Sequence, residues 1–323
     1  MALGSVPVHQ TLLGISVVVT FTATACDTTT KQAVPSAPSP TSAATPKPGP
    51  ATSTSPNPGP ELPTPAAEDP AKMPFDFPAA RSIARVGEFV LAPTQSTVEE
   101  AIAVGSERQA FIYYGGRLES ADDATSVVKL STGRKSRVAN ALVLAIGPKT
   151  EAKVGDIVIT AWASGTGLQR AIVVAEGTPR RPNVRYLDIT LNNPSGWGER
   201  VDQLPEGTFR VLDKPGVPGT TLACSDKNRT TRQILVGRAE GKVLGLGFAG
   251  KLKVFDDKTC TPLPVQPKLE PGDAVRVPVL GTFTAAKITK LDAAIGRVWA
   301  KYAHGSEEHE DAIGFTNVWP GSK

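Results

Sequence analysis

The chain repeats one short pattern three times, and this repetition restricts its possible folds more than any other feature. Each copy has a glycine, then an acidic residue, then apolar residues at alternate positions, at 86–90, 154–158 and 271–275. Alternation of this kind predicts half-buried β-strands, and the runs are short and bounded by Gly, Pro, Asn or Asp. We therefore predict an all-β chain built from small units that share one opening turn.

Two further strands are predicted after each glycine. The second contains an alanine and an aliphatic residue, near Ala101, Ala171 and Ala286. The third is predicted at 110–114, 184–189 and 298–302. The first two units also end alike, since Arg137 and Val138 precede an apolar run as Arg200 and Val201 do.

The last copy resembles a Tudor-like module. The resemblance is carried by Pro271-Gly272-Asp273-x-Val275, by GTFTAAKI at 281–288 and by GRVWAKY at 296–302. It implies a small, strongly bent β-barrel, so we expect tandem barrels that pack together, because domains of about 60 residues are marginal alone. The expected organisation is a first Tudor-like unit at 74–148, a second at 149–213, a small β unit at 214–268 and a third Tudor-like unit at 269–323.

The resemblance also implies a ligand site. Tudor-like domains hold a methylated cation in an aromatic cage, where ring faces attract the positive charge. Carried over, the cage positions fall at or beside Phe283, Trp299 and Tyr302. The earlier copies have Val98 and Leu168 in place of Phe283, so a cage is expected in the third unit only. The other interpretation is that these rings form the core of the barrel.

The amino terminus predicts export. Residues 11–25 form an apolar run of signal-peptide length that ends in small residues, so 1–25 are expected to be a signal peptide. The sequence Ala23-Thr24-Ala25-Cys26 resembles a bacterial lipobox, which implies a lipid on the Cys26 sulfur and an anchor in the outer or cytoplasmic membrane. The alternative is an ordinary signal peptidase site with Cys26 as a free thiol.

A proline-rich segment follows. Of the 29 prolines, twelve lie between Asp27 and Lys72, among Ser, Thr and Ala. A segment with so few large apolar residues cannot bury enough surface to offset the entropy of ordering its backbone. We predict that residues 26–73 are a disordered tether in the cell envelope.

Cys224 and Cys260 are predicted to form a disulfide, because oxidation is the default in an exported chain. A metal site built on these two cysteines would need further ligands, and the sequence has no CxxC motif and places His304 and His309 far away. We expect no metal and no cofactor.

Three motifs have simpler interpretations than a ligand-binding or catalytic site. The glycine-rich run at 245–251 resembles a phosphate loop, but 251–255 alternates as a strand, so a hairpin is predicted. His304 and His309, with four nearby acidic residues, are predicted to lie in a solvated acidic loop after the last strand. The chain has no GxSxG motif, and no catalysis is expected.

Basic residues suggest a possible partner. Beyond residue 72 the chain has 32 Lys and Arg against 27 Asp and Glu, a mild surplus. Three short basic patches lie in predicted turns: Arg134, Lys135 and Arg137; Arg180 and Arg181; Lys227, Arg229 and Arg232. If these patches converged on one face they could hold an anionic polymer; solvated loop charges are the other interpretation.

These expectations combine into one functional hypothesis. The chain is predicted to be a membrane-anchored, non-catalytic binding module that presents tandem barrels to a peptide or an envelope polyanion, with no nucleic acid partner. One alternative is a structural envelope spacer without a small ligand. The other is a hydrolase whose site the sequence does not reveal.

Overall fold

Strands dominate the part of the chain that the structure describes. The computed structural model describes residues 69, 71–106, 108–147, 151–192 and 195–321. The predicted signal peptide, Cys26 and nearly all of the predicted tether lie outside these ranges. Within them, no helix has both the length and the apolar character needed to cross a bilayer.

The strands form four groups of five, which we call modules 1 to 4. In every module the antiparallel strands lie in the order fifth, first, second, third, fourth. This curled arrangement confirms the predicted all-β fold of small bent barrels. Module 1 has β1 Phe89–Ala92, β2 Tyr114–Ala121, β3 Thr125–Leu130, β4 Lys135–Ala139 and β5 Leu144–Ala145. Module 2 has β6 Ile157–Ala161, β7 Leu168–Thr178, β8 Arg181–Tyr186, β9 Asp202–Gln203 and β10 Phe209–Val211.

The carboxyl-terminal half holds the other two modules. Module 3 has β11 Thr221–Asp226, β12 Arg229–Ala239, β13 Lys242–Leu246, β14 Leu252–Asp256 and β15 Cys260–Pro262. Module 4 has β16 Ala274–Val279, β17 Thr282–Asp292, β18 Arg297–His304, β19 Glu307–Gly314 and β20 Trp319–Pro320. The sheets of modules 3 and 4 join where Thr231 of β12 pairs with Thr282 of β17.

Short 3₁₀ helices connect several strands. In modules 1, 3 and 4 one of them links the fourth strand to the fifth. The 3₁₀ helices are Asn140–Leu142, Phe248–Gly250, Asp257–Thr259, Ala293–Ile295 and Phe315–Asn317.

The repeated glycines open equivalent turns. Gly272 has a φ of +97°, a region that residues with a side chain rarely adopt, and its N–H donates to the Ile288 carbonyl at 2.8 Å. Its neighbour Asp273 accepts through its carboxylate from the backbone N–H of Glu270 at 2.9 Å. The same two bonds recur in the other copies: Gly87 with Leu118 and Glu88 with Arg85, then Gly155 with Val173 and Asp156 with Lys153. The three glycines therefore occupy equivalent surroundings, as the repeat predicts.

Module 3 contains a fourth copy of this turn. Gly219 has a φ of +94° and donates to the Leu235 carbonyl at 2.7 Å. Here Thr220 replaces the acidic residue, and its hydroxyl accepts from the backbone N–H of Gly216 at 3.1 Å. Because the sequence pattern demanded an acidic residue, it missed this copy.

Two strand predictions in module 1 are wrong. The segment around Ala101 forms a helix, α1 Gln95–Val104. The predicted third strand at 110–114 is irregular up to Tyr114, where the second strand, β2, begins. The hydroxyl of Thr94 accepts from the Thr97 N–H at 3.2 Å, which caps the first turn. The buried Val98 and Ala101 lie three residues apart and so share one helical face. Helical spacing and the cap outweigh the similarity to the other repeats.

The prediction for the histidine segment is also wrong. Residues that follow His304 form a tight turn and then the strand β19, in which Glu307 pairs with His304 and His309 with Tyr302. The exposed acidic side chains belong to an edge strand rather than to a loop. In the described ranges, no group of three or more metal-binding side chains comes together. The glycine-rich hairpin prediction is confirmed, since β13 and β14 pair directly.

The modules pack on one another through a shared core. A single apolar cluster includes Val90 of module 1, Ile172 of module 2, Leu244 of module 3 and Val277 of module 4. Module 2 adds a smaller cluster around Phe209. Burial between neighbours offsets the small core of each module.

Candidate functional site

The three predicted cage residues have different partners. Phe283 is buried and its ring meets that of Trp319 edge to face, with centroids 5.4 Å apart. Trp299 is half-buried, and the Lys290 ammonium lies 4.4 Å from its ring centroid. These two rings therefore lie in separate environments.

Tyr302 has partners of its own. Its hydroxyl donates to the Asp311 carboxylate, and its ring stacks on His309 at 5.6 Å between centroids. Trp299 and Tyr302 lie three residues apart on β18, and an odd spacing places side chains on opposite faces of a strand. The structure does not bring the three rings into one cage.

The predicted disulfide is confirmed. Cys224 of β11 and Cys260 of β15 are directly paired across the sheet and bonded through their sulfurs. The bond ties the first strand of module 3 to its last.

Several residues of the basic patches have acidic partners or are exposed. Lys135 lies 2.7 Å from the Glu119 carboxylate, and Arg180 contacts both Glu151 and Glu206 at 3.3 and 3.2 Å. Arg229 is exposed on β12. Arg232 differs from these, because it lines a pocket together with Asp188 and Arg297, which belong to no basic patch.

This pocket lies where modules 2, 3 and 4 meet, and its volume is about 240 Å³. Module 2 contributes the segment after β8, module 3 contributes Arg232 and Phe248, and module 4 contributes the β16–β17 turn and parts of β18 and β19. The lining residues are Leu187, Asp188, Ile189, Thr190, Arg232, Phe248, Pro278, Leu280, Gly281, Arg297, Ala312, Ile313, Gly314 and Asn317.

Asp188 of the lining belongs to a buried ion pair with Arg170. Arg170 is fully buried, and its Nε donates to Oδ2 of Asp188 at 2.9 Å. The same guanidinium donates to Thr221 of module 3 and to Oδ1 of Asn317 of module 4, the latter at 2.7 Å. Burial by itself would raise the pKa of Asp188, but the charge and hydrogen bonds of Arg170 hold it well below its usual range. Asp188 is therefore ionised and its charge is matched by Arg170.

Arg297 is a second buried guanidinium, and its hydrogen-bond acceptors are neutral. Its Nη2 donates to the carbonyl oxygens of Tyr186 and Ile189, both at 2.7 Å. Its Nη1 donates to the Ala312 carbonyl at 3.3 Å. Burial lowers its pKa to about 10, against the opposing effect of Asp188, so it stays charged at neutral pH.

Arg232 is the least satisfied of the three arginines. Its Nη1 lies 3.5 Å from Oδ1 of Asn317, a long hydrogen bond to a neutral amide. Burial and the nearby charge of Arg170 lower its pKa to about 10, while Asp188 opposes the shift. Among the described residues that line the pocket, Asp188 is the only acidic one. With Asp188 matched by Arg170, Arg232 and Arg297 leave a surplus of positive charge.

An anion is the ligand that this arrangement favours. Arg232 is half-buried and lines the pocket, and a guanidinium binds a carboxylate or phosphate through two parallel hydrogen bonds. Its one long bond to Asn317 would be a small loss if the guanidinium turned toward such a ligand.

Sequence reasoning singled out Arg232 but missed its neighbours. Arg170, Asp188 and Arg297 come from different strands or loops, far apart in the chain. One signal was present: Arg170 lies between Leu168 and Ile172 at an inward position of an apolar strand. A charged residue at such a position predicts a buried partner.

Comparison with models of known protein families gives no match, and neither does comparison with curated protein sequences.

Proposed function

We propose that the protein is an exported, membrane-tethered binding module whose pocket at the junction of modules 2, 3 and 4 holds an anionic group of a peptide or envelope polymer. The tether and the lipid on Cys26 would keep the modules at a membrane while they sample the envelope. No chemical step is part of this function.

One observation carries the proposal. Among the described residues, the Arg232 guanidinium has a single long side-chain hydrogen bond, to the neutral amide of Asn317, and it lies in a concave site. A purely structural arginine is normally satisfied by carboxylates or several carbonyls, as Arg170 and Arg297 are here. A ligand anion would supply what Arg232 lacks.

The test is binding of labelled anionic probes to the full chain in mild detergent, read by fluorescence anisotropy. The probes are a pool of carboxylate-bearing peptides and an oligomer of glycerol phosphate. We expect binding that weakens as salt rises and that weakens by about tenfold or more in Arg232→Gln, since a hydrogen bond to a charged group contributes about 1.5–3 kcal/mol.

Arg229→Gln is the matched control. It removes the same charge from the exposed end of the same strand and should leave affinity within about twofold of the wild type. Equal weakening by both substitutions would show that general surface charge, and not the pocket, attracts the probe. Absence of binding by every probe would favour the structural spacer.

The anchor has a separate test. Metabolic labelling with a palmitate analogue should mark the wild type and not Cys26→Ala. Label retained by the Ala variant would refute lipidation at Cys26.

A further inference from the structure

The mouth of the pocket is apolar and exposed. Leu280 is 68% exposed and Phe248 is 54% exposed, and both line the opening with Pro278 and Ile313. Large apolar side chains exposed together beside a charged pocket mark a binding surface rather than an ordinary patch of surface. A ligand that only carried negative charge would leave this rim without a partner.

The backbone that holds these side chains is strained. Leu280 and Gly281 form the two-residue turn between β16 and β17, and Leu280 has a φ of +47°. Such turns favour Asn or Gly at the first position, because a Cβ there crowds the backbone. In the neighbouring hairpin, Ala249 follows Phe248 with a φ of +53°. These turns hold Leu280 and Phe248 at adjoining hairpin tips, where both side chains are exposed.

A backbone edge runs into the same pocket. β19 pairs with β18 along one side, and in the described ranges no strand pairs with its other side. Ala312 and Ile313 of β19 are lining residues. The Ala312 carbonyl already accepts from Arg297, so an extended peptide would bond its backbone to the part of this edge that precedes Ala312. A phosphate polymer or a fatty acid has no amide groups to bond this edge.

Building on the proposed function, we propose that the pocket captures the free carboxyl terminus of a peptide whose last residue is apolar. The terminal carboxylate would lie against Arg232, with the charge of the buried Arg297 nearby, and the last side chain against Leu280 and Phe248. Recognition then needs both the charge and the apolar group, which separates such a peptide from phosphate polymers and from fatty acids.

The experiment uses the full chain in mild detergent and labelled hexapeptide pools randomised at the first five positions. One pool ends in Leu with a free carboxylate, one in Leu amide, one in Gly with a free carboxylate; glycerol phosphate oligomer and dodecanoate are competitors. We expect the Leu acid pool to bind and the amide pool to bind about tenfold or more weakly, because the charge-assisted hydrogen bonds are lost. The Gly acid pool should bind severalfold more weakly, because its last residue has no apolar side chain to bury.

Two variants connect the binding to the pocket. Arg232→Gln should weaken the binding of the Leu acid pool about tenfold or more. Leu280→Asn should lower the affinity for the Leu acid pool to about the affinity for the Gly acid pool. The fold should stay intact, because Asn is a favourable residue in this turn. Glu240→Asn changes another two-residue turn, whose first residue also has a positive φ, and should leave binding unchanged.

Different failures have different meanings. Equal binding of the acid and amide pools, or of the Leu and Gly pools, would overturn this inference. Binding of glycerol phosphate oligomer or dodecanoate that depends on Arg232, without peptide binding, would also overturn it but would leave the proposed anion site standing. If no probe binds in a way that depends on Arg232, both proposals fail.

Discussion

Arg170 and Asp188 form a buried ion pair, with Nε of the arginine 2.9 Å from Oδ2 of the aspartate. Both residues belong to module 2, yet the same guanidinium also bonds Thr221 of module 3 and Asn317 of module 4. The pair therefore fixes the relative positions of three modules and forms the back of the pocket. Its integrity determines whether Arg232 is correctly placed.

Arg170→Met is expected to lower the free energy of unfolding strongly. Removing one partner leaves Asp188 buried without its counter-charge, a change that costs about 3–5 kcal/mol. Chemical denaturation of the wild type and variant measures the loss. Arg81→Met, at an exposed surface pair with Asp123, is the control and should cost under about 1 kcal/mol. A loss at Arg170 no larger than the loss at Arg81 would contradict a structural role for the pair.

Acid should destabilise the protein through Asp188. Its pKa in the folded state is below its usual range, so the unfolded state binds more protons at low pH. The stability that the pair contributes is complete above the unfolded pKa of about 3.9 and is lost as pH falls from there toward the folded pKa. Unfolding measured from pH 7 to pH 2 should show this decline.

Asp188→Asn provides the comparison for the acid experiment. We expect the variant to be less stable at pH 7 and to depend less on pH below about pH 4. Asp123→Asn, at an exposed position, should keep the wild-type profile. Identical pH profiles for wild type and Asp188→Asn would show that Asp188 does not contribute to acid sensitivity.

Substituting the glycines that open the modules should lower the free energy of unfolding, because their backbone has a positive φ. At Gly155 an added Cβ would meet no atom within 4 Å, so space is available, but φ is +91°. Gly155→Ala should therefore cost about 1–2 kcal/mol in the free energy of unfolding through backbone strain. Gly237→Ala is the matched control, because Gly237 lacks this positive φ and its added Cβ would make contacts of 3.5 Å or longer. Equal tolerance at both positions would contradict the strain argument.

Module 3 should depend on its disulfide. Cys224 and Cys260 are separated by 36 positions in the sequence, and their disulfide closes the loop between them. A loop of this length is expected to contribute about 3–4 kcal/mol, mainly by restricting the unfolded chain. Reductant should therefore lower the unfolding temperature of the wild type. The double variant Cys224→Ala and Cys260→Ala should be less stable than the wild type in oxidising buffer and should not respond to reductant.

The sequence predicted the repeated turns because their chemistry is local. A glycine at positive φ and an acidic side chain that bonds the backbone three residues earlier are both visible in a window of a few residues. The pattern failed where a different side chain makes an equivalent bond, as Thr220 does after Gly219. It also failed at α1, where the cap at Thr94 specifies a helix inside a repeat that otherwise forms strands.

The pocket was not predictable in the same way. Arg170, Arg232 and Arg297 lie on β7, β12 and β18, and only the packing of three modules brings them together. The basic-patch pattern selects charges in turns, whereas Arg170, Arg232 and Arg297 lie on strands. The pattern includes Arg232 because of its neighbours in sequence, although the environment of Arg232 is set by residues from other modules.

The strained turn at Leu280 gives a prediction in which stability and binding change in opposite directions. Leu280 and Glu240 each hold the first position of a two-residue turn, with φ of +47° and +48°, and each is followed by a glycine. Asn accepts this conformation more readily, so Leu280→Asn and Glu240→Asn should each raise the free energy of unfolding by up to about 1 kcal/mol. Thermal denaturation of the full chain measures the gain. If the leucine is retained for ligand contact, only Leu280→Asn combines this gain with weaker peptide binding. A loss of stability at Leu280 without a loss at Glu240 would instead assign the leucine a packing role.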